Sequence, residues 1–321
     1  MKAIRIESPG GPEVMKLVEV GVGEPGPGQA RVRHTAIGVN FIDTYHRSGL
    51  YPMPMPSGLG MEAAAVVEAV GDGVPHLNVG DRVIYFANPP GAYATHRVMD
   101  ARLLVRLPDS VSDEQAAALW LKACTVESLV ERCARVQPGQ TVLVPAAAGG
   151  VGVLLCQWLK SMGVTVIGTV GSPEKVEIAR VAGADHVLSY DEVPARVREL
   201  TGGQGVDAAI DGVGRATFET SLDSLKRRGI LVSFGNASGP VAPFEMGLLA
   251  RKGSLFVTRP TLFDYYATPA DFELGTKAVF AKIASGVLKA HIGQTFALAD
   301  AVRCHRALEA RQTIGSSLLV P

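Results

Sequence analysis

The chain has 321 residues with 31 basic and 31 acidic side chains, so its formal net charge is zero. This balance gives no long-range field that would draw in nucleic acid or an anionic membrane, and no apolar run approaches the roughly 18 residues that a membrane span needs. Hydrophobic residues make up 47% of the chain, which favours a folded core over disorder. The length suggests two domains. The four cysteines, Cys124, Cys133, Cys156 and Cys304, show no metal-ligand spacing and are expected to be free thiols in the cytoplasm.

The first 120 residues or so are rich in Gly and Pro and contain short β-type runs separated by turns. Ser112 and Gln115 then form the sequence pattern of a capping box. Two helices should follow, over residues 116–121 and from about 125 to 135. The segment therefore predicts an irregular, mainly antiparallel β domain that leads into a helical connection. The β-type runs are expected at residues 30–35, 63–70, 82–85 and 93–98.

From Thr141 onward, short apolar strands alternate regularly with helices. Near-continuous apolar strands between helices are typical of a parallel sheet covered on both faces. This region therefore predicts a doubly wound, six-stranded α/β domain of the nucleotide-binding (Rossmann) type. The strands are expected at residues 141–145, 165–170, 186–190, 206–210, 230–234 and 254–258. Helices are expected at 151–162, 173–182, 192–201, 269–285 and 299–310, with a last strand at 317–320.

The Gly-rich loop after the first of these strands is the most informative segment. Against the pattern GxGxxG it has Ala147, Gly149 and Gly152, so that an alanine replaces the first glycine. Gly149 would let the backbone approach a pyrophosphate, Gly152 would let the helix pack closely on the strand, and the helix N-terminus would face the phosphates. A tight turn without a ligand is the alternative, but the strand–loop–helix context favours a dinucleotide. The predicted contacts are Ala148, Gly149, Gly150, Val151 and Gly152.

The end of the second strand indicates which dinucleotide binds. NAD enzymes usually place an acidic residue there to hold the ribose 2′-hydroxyl, whereas this strand ends without one. Gly171 and Ser172 follow the strand, Lys175 lies one turn further, and Tyr190 ends the third strand. A hydroxyl and a positive charge suit a 2′-phosphate, so these residues predict NADPH. A solvated helix lysine is the alternative interpretation of Lys175.

Several further motifs carry a family resemblance. The chain resembles the quinone oxidoreductases of the zeta-crystallin type, the zinc-free branch of the medium-chain dehydrogenase/reductase superfamily, over nearly its full length. The resemblance implies a mainly β, GroES-like catalytic domain built from residues 1–121 and 264–321. A Rossmann domain of residues 122–263 lies between these segments, and the active site lies in the cleft. The motifs that carry the resemblance are at residues 38–45, 47–52, 58–62, 146–152, 171–175, 232–236 and 253–260.

The resemblance also implies the activity and its independence of zinc. Zinc-dependent relatives place a cysteine ligand where this chain has Asn40 and a histidine ligand where it has Met61, so no metal is expected. Glu62 should then be a buried carboxylate that is hydrogen-bonded to the backbone. The implied reaction transfers reducing equivalents from NADPH to a quinone, the small-molecule partner. The natural quinone and the choice between one- and two-electron reduction are not indicated.

Candidate hydrogen-bond donors to the quinone are Asn40, Tyr45 and Tyr51, expected on loops that face the cleft; simple packing is an equal alternative for the two tyrosines. His46 is expected to be a solvated loop histidine. A homodimer is expected through the strand from Ser254 to Thr258. The remaining cofactor contacts implied by the resemblance are Thr125, Phe234, Gly235, Asn236, Arg259 and Ser316.

Three departures from the family pattern, at Ala123, Ser128 and Pro145, predict cofactor binding that is retained but weakened. Pro145 also removes a backbone donor at the end of a central strand. One alternative function is the reduction of activated double bonds in enones, alkenals or acryloyl thioesters, which accept hydride in the same way. Another is a structural role or the binding of single-stranded nucleic acid, which the zero net charge disfavours as the main role.

Overall fold

A computed structural model describes residues 1–321, which form two compact units. The split unit consists of Met1–Leu121 and Ala290–Pro321, and the central unit is Lys122–Lys289. The first boundary lies where the sequence predicts it. The second lies at Lys289 instead of residue 263, so that the segment after the last strand of the nucleotide-binding sheet belongs to the central unit.

Hydrogen bonds explain the later boundary. The hydroxyl of Tyr266 donates to Glu127 (3.0 Å), and the backbone N–H of Lys289 donates to Gln157 (3.1 Å). Both ends of residues 264–289 are therefore tied to helices of the central unit.

The N-terminal segment is mainly β, as predicted. The capping box is confirmed, because Gln115 N donates to Ser112 Oγ (3.2 Å) and Ser112 N donates to Gln115 Oε1 (3.3 Å). The prediction of two helices after it was wrong: one helix continues to Glu127 and passes into a π-helical turn, Ser128–Cys133, because no Gly or Pro interrupts it. The elements are β1 (Lys2–Ile6), β2 (Lys16–Glu19), β3 (Gln29–Val39), α1 (Phe41–Ser48), β4 (Ser57–Gly58), β5 (Glu62–Val70), β6 (Arg82–Phe86), β7 (His96–Asp100), β8 (Val105–Arg106) and α2 (Asp113–Glu127).

The central unit contains the predicted parallel sheet. Its strand order is β11-β10-β9-β12-β13-β14, all pairs being parallel. The elements are β9 (Thr141–Val144), α3 (Gly150–Ser161), β10 (Thr165–Val170), α4 (Val176–Val181), β11 (His186–Ser189), α5 (Ala195–Leu200), β12 (Val206–Asp211), α6 (Phe218–Ser224), β13 (Leu225–Ser233), α7 (Gly247–Arg251), β14 (Phe256–Thr258), α8 (Leu262–Tyr265) and α9 (Pro269–Ala284).

The C-terminal segment completes the split unit with β15 (Ile292–Ala297), α10 (Ala301–Glu309) and β16 (Ser316–Val320). Strands β15 and β16 extend a seven-stranded sheet of order β15-β16-β3-β5-β6-β8, in which β7 also pairs with β3. Strands β2, β1 and β4 form a separate three-stranded sheet. The split unit encloses a core of apolar side chains from the long strands and α10. No helix in the chain combines the length and the apolar character required to cross a membrane.

Candidate active site

The Gly-rich loop has the geometry that a dinucleotide requires. It leaves β9 through Ala146, whose φ is +55°, and reaches α3 with Gly149 as N-cap. A Cβ on Gly152 would lie 2.8 Å from Ala147 Cα and would overlap the carbonyl oxygen of Ala146, so only glycine lets the helix approach the loop this closely. The first N–H groups of a helix have no partner within it, and those of α3 open onto this loop.

The segment after β10 carries Ser172 and Lys175, which are predicted to contact a 2′-phosphate together with Tyr190. Ser172, Lys175 and Tyr190 are all half-buried, and Tyr190 lies against Gly171, where a Cβ would be 3.7 Å from its ring. Ser172 Oγ donates to Glu174 Oε1 (2.5 Å), which lowers the pKa of that carboxyl. A bound phosphate would replace Glu174 as the acceptor for this hydroxyl.

Two details of this segment differ from the sequence prediction. The helix expected over residues 173–182 begins as a 3-10 turn, Pro173–Lys175, before α4. Tyr190 starts a 3-10 turn instead of ending β11. Lys175 therefore ends a short turn and is not a residue within a regular helix.

The loop after β13 is held by Arg259. Its Nη1 donates to the carbonyl oxygens of Ser233 and Gly235, both at 2.9 Å, and in the orientation that satisfies both ends of the amide, Asn236 accepts from Arg259 Nη2 (3.0 Å). A Cβ on Gly235 would lie 2.8 Å from the Cα of Gly212, in the loop after β12. Arg259 thus supports the backbone of the predicted contacts at residues 234–236.

These three loops leave the carboxyl ends of β9, β10 and β13. Carboxyl ends of parallel strands share one edge of the sheet, and ligands bind there at the point where the strand order reverses. The order reverses here between β9 and β12. Thr125, a further predicted contact, lies in the last turn of α2, where its carbonyl oxygen accepts from Ser128 Oγ (2.8 Å).

In the split unit, Asn40 is the N-cap of α1 and is 7% exposed. Its Nδ2 donates to Glu62 Oε1 (2.8 Å), and Glu62 Oε2 accepts from the backbone N–H of Leu121 (2.7 Å). Glu62 is fully buried. The prediction of a buried carboxylate hydrogen-bonded to the backbone is therefore confirmed, and this carboxylate also fixes the side-chain amide of Asn40.

Tyr45 and Tyr51 lie together, with ring centroids 5.2 Å apart in an edge-on arrangement. Tyr45 is on α1 and not on the predicted loop, because Asp43 accepts from the backbone N–H of Asn40 and caps a helix there. The prediction for His46 was wrong: it is 8% exposed, its Nδ1 has no hydrogen-bond partner, and burial lowers its pKa. Its ring packs edge-on to Tyr51.

Comparisons with known proteins identify the family. Family models described as "Alcohol dehydrogenase GroES-like domain" and "Zinc-binding dehydrogenase" match residues 26–109 and 150–267. A quinone oxidoreductase of Pseudomonas aeruginosa is 50% identical over 100% of this chain and 99% of its own length. The chain belongs to the quinone oxidoreductase family.

Two other proteins show how this family varies. The crystal structure of Escherichia coli quinone oxidoreductase complexed with NADPH has a TM-score of 0.97 and 47% identity, covering 100% of both chains. A 2-haloacrylate reductase of a Burkholderia species is 43% identical over 98% of this chain and 98% of its own length. The predicted family and both fold classes, Rossmann and GroES-like, are thereby confirmed.

In this chain, Asn40 and Met61 occupy the two positions at which zinc ligands are expected in the zinc-dependent branches of the superfamily. Asn40 is bound to Glu62, and Met61 is fully buried. No group of three or more His, Cys, Asp or Glu side chains is arranged to hold a metal ion. That the reaction needs no zinc stays a prediction, and a chelator tests it.

The structure also locates Ser316 and the three residues of this chain that depart from the family pattern. Ser316, at the start of β16, donates through Oγ to the carbonyl oxygen of Ala118 (2.8 Å) and is buried; its cofactor contact stays a prediction. Strand β9 ends at Val144, so Pro145 follows the strand and removes no bond of its ladder. Ala123 is buried in α2, which carries Thr125, and Ser128 is buried at the start of the π-helical turn that follows α2.

Sequence reasoning missed Asp211, the last residue of β12. It is 1% exposed, and its carboxylate accepts from the N–H groups of Val213 and Gly214 and from the hydroxyls of Thr217 and Ser221. It therefore shapes the loop at the ligand-binding edge of the sheet. An acidic residue at the end of an apolar strand is the signal that could have found it.

Proposed function

We propose that this chain reduces quinones with NADPH. The observation that carries the proposal is the close-packed loop at Gly152 at the carboxyl edge of the central sheet. Ser172, Lys175 and Tyr190, which follow the neighbouring strands β10 and β11, are proposed to bind the 2′-phosphate. The NADPH complex of the Escherichia coli relative, at 47% identity, supports the same cofactor. NADPH, when bound, supplies the hydride; the protein positions it and the acceptor.

The residues of the split unit supply hydrogen bonds to the quinone oxygen that gains negative charge. An amide nitrogen carries two hydrogens, and Asn40 uses one of them on Glu62. Its second N–H, with the hydroxyls of Tyr45 and Tyr51, forms the proposed donor set. Donors fixed before the reaction stabilise developing charge without reorganising, and the bond to Glu62 gives Asn40 this rigidity.

The proposed assembly is a homodimer in the cytoplasm. Strand β14 is an edge strand of the central sheet, and Phe256 on it is 61% exposed. An unpaired apolar edge favours pairing with a second copy. The four free cysteines favour a reducing compartment. Sedimentation of Phe256→Lys against the unmodified protein tests the dimer; two equal sedimentation coefficients would contradict the β14 interface.

Steady-state oxidation of NADPH and of NADH with 1,4-benzoquinone tests the function, with and without EDTA. We expect a strong preference for NADPH and no effect of the chelator. An NADH preference would contradict the 2′-phosphate site, and loss of activity in EDTA would contradict zinc independence. Faster turnover of methyl vinyl ketone or 2-chloroacrylate than of benzoquinone would instead favour the double-bond reductase. Filter binding of single-stranded DNA at physiological salt tests the nucleic-acid alternative.

A further inference from the structure

A chain of buried polar side chains joins α1 to α10 within the split unit. Asp43 and Arg47 lie on α1, Tyr93 lies just before β7, and His305 lies on α10. All four are at most 2% exposed. Polar groups buried this deeply cost stability unless each is hydrogen-bonded, so their arrangement requires an explanation beyond packing.

The hydrogen bonds between these four side chains are all donated in one direction. Tyr93 has one hydroxyl hydrogen, which it donates to Asp43 Oδ2 (3.0 Å). The contact between the Tyr93 oxygen and His305 Nε2 (3.0 Å) must then be donated by the imidazole N–H. His305 Nδ1 is therefore unprotonated and accepts from Arg47 Nη1 (3.0 Å). The order of donation is Arg47 to His305 to Tyr93 to Asp43.

Two features keep this order fixed. Burial, with a smaller contribution from Arg47, lowers the pKa of His305 to about 3, so the imidazole stays neutral at physiological pH. Glu309 accepts from both terminal nitrogens of Arg47, at 2.6 and 3.1 Å, and balances its charge. The network therefore has one arrangement of protons, with Asp43 Oδ2 as the final acceptor.

Asp43 connects these buried side chains to Asn40. Its Oδ2 atom, which accepts from Tyr93, also accepts from the backbone N–H of Asn40 (2.8 Å). Asn40 is thus held from two sides, at its backbone by Asp43 and at its side-chain amide by Glu62. Movement of Asp43 would tilt the N-terminus of α1 and with it the second amide N–H of Asn40.

We propose that Tyr93 and His305 are positioning residues for the reduction, which act through Asp43 to fix the amide of Asn40. Neither is assigned a contact with substrate or cofactor. The inference rests on the proposed function of Asn40 as a donor to the quinone. Because small misplacements of a reacting group reduce turnover strongly, loss of one buried hydroxyl in this network should lower kcat.

The central variant is Tyr93→Phe, and Tyr85→Phe is its matched control. Tyr85 is also fully buried in the split unit, and its hydroxyl also meets a buried imidazole, His34 Nε2, at 2.8 Å. His34 in turn bonds to the carbonyl oxygen of Ala94 and not to α1. We expect similar losses in Tm from both variants, but a kcat about tenfold lower only for Tyr93→Phe, with the Kd for NADPH unchanged. Equal kcat values for the two variants would overturn the proposal.

A double-mutant cycle separates positioning from a general structural effect. We expect Asn40→Ala to lower kcat, and Tyr93→Phe to cause no further loss in that background. Additive losses would overturn the positioning role and leave the function of Asn40 intact. Unchanged kcat in Asn40→Ala would instead overturn the donor role of Asn40 and the inference with it. If Tyr93→Phe does not fold, His305→Phe, which keeps a ring but removes the bonds to Tyr93 and Arg47, enters the same cycle with the same expected outcomes.

Discussion

Each unit has a buried carboxylate beside its proposed site, Asp211 in the central unit and Glu62 in the split unit, and the two are used differently. In the central unit, Asp211 accepts from two backbone N–H groups and two hydroxyls and so shapes a loop. In the split unit, Glu62 accepts from one backbone N–H and from the side chain of Asn40. Phosphates are commonly bound by backbone N–H groups at a helix N-terminus, whereas the donors proposed for the quinone oxygen are side chains. Asp211 therefore stabilises a loop, whereas Glu62 also orients a proposed side-chain donor, Asn40.

The largest expected difference between the units is their sensitivity to acid. Burial lowers the pKa of His34 to about 4 and that of His305 to about 3, and both lie in the split unit. Each imidazole is neutral in the fold, so its contribution to stability is complete above about pH 6.5 and is lost as the pH falls toward the folded pKa. We expect about 2 kcal/mol of lost stability per histidine between about pH 7 and pH 5.

Urea unfolding at these two pH values measures this loss. The variant His34→Gln removes one of these titrating groups and should therefore reduce the loss of stability between the two pH values by about 2 kcal/mol. An unchanged dependence in the variant would show that acid acts elsewhere in the molecule.

Cofactor binding should depend on close backbone packing in the central unit. In Gly152→Ala the new methyl group would overlap the carbonyl oxygen of Ala146, whereas in Gly149→Ala it would lie 3.2 Å from the same atom. We expect NADPH binding to weaken about 100-fold in the first variant, roughly 3 kcal/mol, and much less in the second. NADPH fluorescence titration measures both, and equal affinities would contradict the packing role of Gly152.

Recognition of the 2′-phosphate should depend on side chains of the same unit. Lys175→Ala removes a positive charge from the proposed phosphate site, and a charged hydrogen bond is worth about 1.5–3 kcal/mol. We therefore expect the KM for NADPH to rise about 10- to 100-fold while the KM for NADH stays unchanged. Lys160→Ala is the control, since this exposed lysine pairs with Asp185. An equal rise in the KM for NADPH and for NADH would mean that Lys175 acts through folding and not through the 2′-phosphate.

The smallest expected effect tests the two carboxylates directly. Glu62→Gln exchanges one acceptor oxygen for an N–H₂ group and disturbs the amide of Asn40, so kcat should fall about tenfold with NADPH affinity retained. Asp211→Asn makes the same exchange in the central unit and should weaken NADPH binding while kcat at saturating cofactor is retained. Stopped-flow turnover and fluorescence titration separate these outcomes. Identical profiles for the two variants would remove the contrast between the units.

Local patterns in the sequence are sufficient for much of the central unit. The predicted strand at residues 165–170 is observed as β10, because a buried parallel strand is a continuous apolar run bounded by turn residues. Gly152 and Lys175 were predicted as cofactor contacts for the same reason, because the strand–loop–helix order that points to them lies within a short stretch of chain. The capping box at Ser112 and Gln115 is equally local.

The buried contacts of the split unit could not be predicted from local sequence patterns. Asn40 and Tyr45 were expected on loops, but Asn40 caps the helix α1. This helix is hydrogen-bonded to Tyr93 and His305, and His305 is far along the chain. The burial of His46 and the four bonds to Asp211 likewise follow from the packing of distant segments. Residues 264–289 belong to the central unit through hydrogen bonds that composition and periodicity do not encode. The sequence by itself thus determined the family, the sheet and the phosphate loop, whereas only the tertiary structure decided which buried polar groups meet, because those contacts join residues that no local pattern relates.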